Sequence, residues 1–325
     1  PDYHAGTGHF FVQHTPVARP GGTLTWGHAP STDLGHWEQQ PPTLCPKTMA
    51  VKDCFSGGAT VDHHNTAGWG RNTLVAFFTD TGCGEAIAYS TDGGDTFTYY
   101  EGNPVVEHRG RDPKVIWYPY GTNDTPLDDT ARGLGGHWVM VVFDENEEHG
   151  RNAAFYTSTN LKDWTEQSHL PGYFECTELF ELPVDGDGTD TRWVVYAADA
   201  RYAVGRFDGK TFTPDHEGKH QVHWGPYYAS QTFDNAPDRR RIQMGWLRIP
   251  SPGPYNQHFS FPHRLTLHST SDGIRMLARP IREIEQLRVR SHRAGARDLV
   301  PGQPVTMPVQ SDLLDVRLAV AVGDA

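Results

Sequence analysis

Ser31-Thr32-Asp33-Leu34-Gly35-His36-Trp37 is echoed at Ser158-Thr159-Asn160-Leu161-Lys162-Asp163-Trp164. Between the two lies Ser90-Thr91-Asp92-Gly93-Gly94-Asp95-Thr96-Phe97, and a looser copy follows at Phe207-Asp208-Gly209-Lys210-Thr211-Phe212. Each reads as a turn, because Asp and Asn side chains bond their own backbone and, with Gly, tolerate the left-handed region. An aromatic then anchors the next strand. The anchors Trp37, Phe97, Trp164 and Phe212 are 60, 67 and 48 residues apart. That is the length of a four-stranded blade with its loops, whereas sandwich turns recur every 8–12 residues or so. The repeat therefore favours a propeller over a sandwich.

The segments between the turns agree. Thr73–Thr79, His137–Phe143, Arg192–Ala197 and Arg241–Trp246 are short apolar runs bounded by Gly, Asp or Asn, and read as buried strands. No amphipathic helix of three or more turns stands out. Tyr118–Gly136 is polar and reads as a loop. Pro280–Leu287 is the one short helix expected, with Pro at its start, and serves as a linker. Leu314–Val322 reads as the first strands of a further all-β domain. The expected division is a catalytic propeller over 1–285, then a linker and the start of a β-sandwich over 286–325.

Composition sets bounds. The formal charge of −12 supplies no basic field for nucleic acid, and Arg239-Arg240-Arg241 reads as a hairpin tip. No apolar run approaches the roughly 20 residues needed to span a bilayer as a helix. Cys45, Cys54, Cys83 and Cys176 lack the CxxC spacing of a structural zinc site, and nothing in their spacing requires Cys45 to pair with Cys54. The 18 His are scattered and read as surface or hydrogen-bonding residues, not metal ligands. The chain opens at Pro1 in text that reads like the middle of a strand hairpin.

Two acidic motifs carry the chemistry. In Arg111-Asp112-Pro113, Pro113 keeps Asp112 out of the helical region and Arg111 favours the ionised carboxylate; a structural salt bridge is the alternative. In Phe174–Pro183, Glu175 lies among Phe174, Cys176 and Phe180, poorly solvating neighbours that should raise its pKa and suit a general acid. Glu178 and Glu181 compete with it, and the local pattern does not choose among the three. Trp26, Phe55, Ser56, Tyr228 and Trp246 sit beside Gly or other small residues at strand ends, where a sugar pocket takes its platforms and polar groups. Gln13 ends an apolar run. Singly, each ring also reads as core.

Together these motifs resemble glycoside hydrolase family 32, the invertases, levanases and inulinases acting on β-fructofuranosides. Gly8–Pro16 is similar to the family's Tyr-His-Leu-Phe-Tyr-Gln-x-Asn-Pro. Trp26–Trp37 is similar to Trp-Gly-His-Ala-x-Ser-x-Asp-Leu-x-x-Trp, and Cys54–Ala59 to Cys-Phe-Ser-Gly-Ser-Ala, with Gly58 where Ser is usual. Arg111–Val115, Phe174–Gly186, Tyr227–Phe233 and Gly245-Trp246 match later elements.

The resemblance implies a five-bladed β-propeller followed by a β-sandwich. It implies Glu175 as acid/base, Asp112 as transition-state stabiliser helped by Arg111, and Gln13, Trp26, Phe55, Ser56, Tyr228 and Trp246 around the sugar. It implies no metal or organic cofactor, and as partners sucrose or a fructose-containing oligo- or polysaccharide, with no nucleic acid or membrane. A secreted or periplasmic location is favoured if the substrate is a fructan. The family's nucleophile, the Asp of Asn-Asp-Pro-Asn-Gly, would fall upstream of Pro1, and Asp2 is not in register with it. Retaining hydrolysis is expected, with the two carboxyls about 5–5.5 Å apart. A non-catalytic fructan-binding propeller is one alternative. An inverting five-bladed glycosidase such as an arabinanase, with carboxyls about 6.5–9.5 Å apart, is the other.

Overall fold

The computed structural model describes residues 1–15, 23–44, 52–122, 124–250, 257–311 and 314–321. Pro16, Cys45 and Val322, named above, lie outside them. The chain divides into two compact units, Pro1–Ile284 and Glu285–Ala325.

The first unit is nearly all β, built of antiparallel meanders. Sheet one is β1 (Asp2–His4), β2 (Thr7–His14), β3 (Thr25–Ser31) and β4 (Gln40–Leu44). Sheet two is β5 (Cys54–Asp62), β6 (Thr73–Asp80), β7 (Gly84–Ser90) and β8 (Thr98–Tyr99). Sheet three is β9 (Arg111–Pro119), β10 (Gly136–Asn146), β11 (Gly150–Ser158) and β12 (Thr165–Pro171). A ten-stranded sheet follows. It joins the meander β13 (Glu178–Val184), β14 (Asp187–Tyr196), β15 (Arg201–Phe207), β16 (Phe212–Pro214) and β17 (His220–Gln221) to a second one. That second meander is β18 (Tyr227–Phe233), β19 (Arg241–Leu247), β20 (His258–Phe259), β21 (His263–Thr270) and β22 (Gly273–Pro280), and the two meet at one parallel pair, Val184 with Leu267.

The repeated turns take the same place in four meanders, leading from β3, β7, β11 and β15 to the strand after each. Asp33 Oδ1 accepts from the Gly35 and His36 amides at 2.9 and 2.8 Å, and Asn160 Oδ1 from Lys162 and Asp163 at 3.0 and 2.9 Å. Asp92 Oδ1 accepts from Thr96, and Asp208 Oδ1 from Lys210 and Thr211. Leu34 and Leu161 hold φ of +58° and +65° directly after these acceptors. The sequence echo is thus a repeated solution to one backbone problem.

The central strands are buried on both faces, which explains their unbroken apolar runs. On β6, Leu74, Ala76 and Phe78 pack toward Phe11 and Trp26 of sheet one. Val75 and Phe77 pack the other way, toward Trp138, Met140 and Tyr156 of sheet three. Val139, Val141 and Phe155 meet Leu179, Val195 and Phe207, and Phe180, Val194 and Tyr196 meet Tyr227 and Leu265. Phe233, Ile242 and Met244 close on Leu34, Phe10 and Trp37 of sheet one. The clusters run in a closed, propeller-like ring. A seam bond from Tyr3 N–H to the Asp234 carbonyl, 3.0 Å, joins its ends.

A buried cation stands where β9, β13 and β18 meet. Lys114, 1% exposed, pairs with Asp234 at 2.5 Å and faces Glu178 at 3.9 Å, while its Nζ donates to the Thr232 carbonyl at 3.0 Å. Burial opposes its charge, but the two carboxylates win and its pKa is raised. Lys114→Met leaves the buried Glu178 without a cation, while Asp234 keeps Arg241, and should cost about 3–5 kcal/mol in denaturant unfolding. An unchanged midpoint would show the cluster to be neutral.

The Tyr118–Gly136 stretch expected as loop carries a short helix, α1 (Asp129–Leu134). Asp128 caps it by accepting from Ala131 N–H at 2.7 Å, and Gly135 ends it at φ +73°. Six residues are too few to show a helical period, so only the caps were legible. The expected helix after Pro280 is a 3-10 helix over Arg282–Leu287, held by i→i+3 bonds such as Ile284 N–H to Ile281 O. Arg239 and Arg240 lie at the β18–β19 hairpin tip as expected, while Arg241 begins β19 and pairs with Asp234.

In the second unit, the described residues beyond Leu287 form no helix or strand. Strands were expected over Leu314–Val322. An alternating apolar segment becomes a strand only with a neighbour to take its backbone groups, and residues 314–321 pair with none. Arg288 pairs with Asp315 and Arg317 with Glu285.

Candidate functional site

The site grows from irregular backbone at strand ends. Asp112, second in β9, is at φ +67°, and Glu175 and Cys176 precede β13 at +53° and +44°. Ala229, beside Tyr228 on β18, is at +48°. Non-glycine residues in this region are strained and persist only where neighbours fix them. Here they do. The Asp112 amide donates to Thr79 Oγ1 at 2.9 Å, and the Cys176 amide to Asp112 Oδ2 at 2.9 Å. Ala198 donates its N–H to the Glu175 carbonyl and accepts from the Ala229 amide, tying the Glu175 and Tyr228 segments together.

β-Bulges add to this. One between Cys54 and Gly57 displaces Phe55 and Ser56 from the β5 ladder, and another lies between Tyr228 and Gln231. Gly57 is required there, since a Cβ would stand 1.9 Å from the Phe77 carbonyl oxygen.

These devices gather five of the expected residues. Arg111 Nη2 and Nε donate to Glu175 Oε1 at 2.7 and 3.2 Å, and the Tyr228 hydroxyl donates to Glu175 Oε2. Arg111 Nε also lies 3.9 Å from Asp112 Oδ2, so one guanidinium faces both carboxylates. Its planar fork is flanked by the rings of Phe143 and Phe174, 4.9 and 5.5 Å from their centroids. Phe174 therefore packs on the arginine that holds Glu175. Trp246 lies edge-on to Tyr228 at 6.3 Å, and the Arg248 guanidinium lies over that phenol ring at 4.2 Å.

The remaining expected residues form a second group on sheets one and two. Gln13 Nε2 donates to Ser56 Oγ at 3.0 Å, and Trp26 Nε1 to the Phe55 carbonyl at 2.8 Å. Trp26 is only 3% exposed and belongs to the core, so it supports Phe55 from beneath. Gln231 of β18 donates to the Gly57 carbonyl at 2.7 Å and ties this group to the strand that carries Tyr228.

The three competing acids separate in space. Glu178 points inward, accepts from Thr232 N–H at 3.1 Å and faces Lys114. Glu181 is exposed and accepts from Thr191. Only Glu175 has Arg111 and Tyr228 on its two oxygens.

Burial sets the electrostatics of Asp112 and of the groups around it. Asp112, 4% exposed, has its pKa pushed from 3.8 up to about 6 by burial, partly offset by the Cys176 amide. Burial and then the Glu175 carboxylate raise the Tyr228 phenol, keeping it protonated as a donor. Burial likewise keeps Cys176 a thiol.

Sequence reasoning missed what lies under Asp112. Thr79 Oγ1, which takes the Asp112 amide, donates in turn to Glu85 Oε2 at 3.0 Å. Glu85 Oε1 is 2.7 Å from His108 Nε2, and His108 Nδ1 is 3.5 Å from Asp144. Burial would lower the His108 pKa, but the two carboxylates win and raise it. A cavity of about 590 Å³ opens beside His108, Arg109 and Asp144. The legible signal was Glu85 itself, a lone acid in the apolar run Gly84–Ser90.

The arrangement offers a partly accessible carboxyl held by two donors, a buried carboxylate on the same guanidinium, and aromatic rings at the rim. That suits proton transfer to and from a leaving oxygen beside a charge that stabilises a developing cation.

Comparisons with known proteins agree with this chemistry. The family model for the glycosyl hydrolases family 32 N-terminal domain matches residues 1–280. A levanase of Bacillus subtilis (strain 168) is 34% identical, over 88% of this chain and 45% of its own length. An extracellular exo-inulinase of Aspergillus niger is 31% identical, over 86% of this chain and 60% of its own. The crystal structure of exo-inulinase from Aspergillus awamori superimposes with a TM-score of 0.72 at 29% identity, covering 86% of this chain and 63% of that one. The chain spans about half the length of the curated relatives it matches.

Proposed function

Since the chain belongs to glycosyl hydrolase family 32, we propose that it is the catalytic part of an enzyme that releases terminal β-D-fructofuranosyl residues from fructans or sucrose with retention. The observation that carries this reading is the Glu175 carboxylate, held between Arg111 and Tyr228 beside the buried Asp112. Glu175 is the acid/base. It gives its proton to the leaving glycosidic oxygen, then takes one from the water that releases fructose. Asp112 is the stabiliser, accepting from fructosyl hydroxyls as oxocarbenium character develops. Arg111 fixes both carboxylates. Gln13, Phe55, Ser56, Tyr228 and Trp246 meet the sugar, and Trp26 braces Phe55.

In this reading the nucleophile is the aspartate that the family resemblance implies in Asn-Asp-Pro-Asn-Gly, a motif residues 1–325 do not contain. It attacks the anomeric carbon as the glycosidic bond breaks, and water displaces it in the second half. The five core clusters are read as the interfaces of five blades spanning 1–285, with 286–325 as linker and sandwich start.

The test is fructose release from sucrose, levan and inulin, comparing the 325-residue chain with a form extended upstream through that aspartate. Release by the extended form alone is the expected result. Fructan binding without release by either form would make this a binding propeller, and product of inverted configuration would make it an inverting enzyme.

A further inference from the structure

Between the two meanders of the ten-stranded sheet lies a cavity of about 410 Å³, lined by Tyr202, His220, Gln221, Trp224, Arg275 and Met276 among others. Trp224 is 73% exposed, more so than Trp246, Phe259 or Phe261.

That exposure is not looseness. The loop carrying Trp224 is fastened on both sides. The Val222 amide donates to the Ala200 carbonyl at 3.1 Å, and Gln221 Nε2 to the His223 carbonyl at 2.8 Å. The His223 ring stacks on Tyr227 at 3.9 Å, and its Nε2 lies 3.1 Å from Gln243 Oε1. The main chain is fixed while the indole stands in water. An apolar face of that size is ordinarily buried against a neighbour or a ligand.

The polar groups beside it are also available. Among the described residues no carboxylate forms an ion pair with Arg275, whose Nη1 donates to the Ile274 carbonyl. The rest of its five-donor fork is open to a ligand. The Gln221 amide, with one N–H donating to the His223 carbonyl, keeps its own carbonyl oxygen as an acceptor. His220 is held neutral, its pKa lowered by burial and by Arg275, so the cavity presents one positive charge. A flat aromatic face with one fork of donors and one amide acceptor matches a neutral, polyhydroxylated ring better than a phosphate, which calls for more cationic charge.

We propose that Trp224 and the cavity beside it form a second, non-catalytic binding site for the fructan chain, with the indole stacked on a fructosyl ring and Arg275 and Gln221 taking its hydroxyls. The proposal rests on the reading of this protein as a fructan hydrolase. Such a site holds a polymer near Glu175 by raising its effective concentration. A disaccharide gains nothing from it.

The test uses Trp224→Ala, Trp224→Phe and Arg275→Ala. Levan and inulin binding is measured by affinity electrophoresis with dextran as control, and sucrose turnover is measured in the upstream-extended form. The expected result is at least fivefold weaker binding of levan or inulin by Trp224→Ala, a smaller loss in Trp224→Phe, and sucrose kcat/KM within twofold of the parent. Arg275→Ala should weaken binding in the same direction. Unchanged fructan binding in Trp224→Ala would overturn the site and leave the hydrolase reading standing if sucrose is still cleaved. Equal loss of sucrose turnover would also overturn it, by showing that Trp224 serves the catalytic pocket or the fold. If the extended form releases no fructose, the hydrolase reading fails instead. The site then survives only if Trp224→Ala still weakens fructan binding.

Discussion

Asp112→Asn is expected to stabilise the folded protein at neutral pH while removing most turnover. The carboxyl is buried, and its pKa rises from 3.8 to about 6, which corresponds to about 3 kcal/mol against the ionised form. The sign is fixed by proton uptake. Between about pH 4 and 6 the folded state binds the proton that the unfolded state has released. This group therefore favours folding below pH 4, and that contribution is lost as pH rises through 6. Asparagine keeps an oxygen for the Cys176 amide and carries no charge. Denaturant unfolding should show the variant more stable than the parent by up to about 3 kcal/mol at pH 7, with the gap closing near pH 4. Fructose release should fall by about 10²–10³-fold, the scale of losing one preorganised electrostatic partner. Equal stability at both pH values would mean that Asp112 is not ionised at a cost, and the stabiliser role would fall with it.

Glu175→Gln should leave the fold and fructan binding intact and lower kcat by about 10²–10⁴-fold in the upstream-extended form. Glutamine can keep its one oxygen toward Arg111 and donate its NH₂ to the Tyr228 hydroxyl, which turns to accept, but it cannot give a proton to a leaving alcohol. The loss should shrink for an activated fructoside whose leaving group departs without protonation. An equal loss on both substrates would make Glu175 structural, and near-normal turnover on sucrose would move the acid/base role elsewhere.

How much of this was legible depended on how local the physics was. The turns at Asp33, Asp92, Asn160 and Asp208 are bonds within a few residues, so their repetition could be read directly and gave the meanders. Both-face burial of β6 was legible because it leaves Leu74–Phe78 without a polar residue. The choice of Glu175 over Glu178 and Glu181 was not legible from the residues. It turns on Arg111 and Tyr228, which lie 64 and 53 positions away. The support under Asp112 was hidden in a similar way: Thr79 and Glu85 face each other on neighbouring strands of sheet two, and only the fold brings them to His108 and to Asp112 of sheet three. α1 was missed because its signal was two caps around six residues. Leu314 onward was expected as strand and residues 314–321 form none, because alternation states what a strand would look like and not which segment it pairs with.

The seam bond from Tyr3 to Asp234 has a kinetic meaning. It joins residues more than 200 positions apart, so the loop-closure entropy it must overcome exceeds that of any bond within a single meander. On that entropy ranking the meanders are expected to form first from near neighbours, and the ring to shut last, when β18 reaches sheet one. β18 also carries Tyr228, the hydroxyl partner of Glu175. Shutting the ring and completing the acid's surroundings are therefore one event, and a chain caught before that step holds most of its sheet structure with no working proton donor.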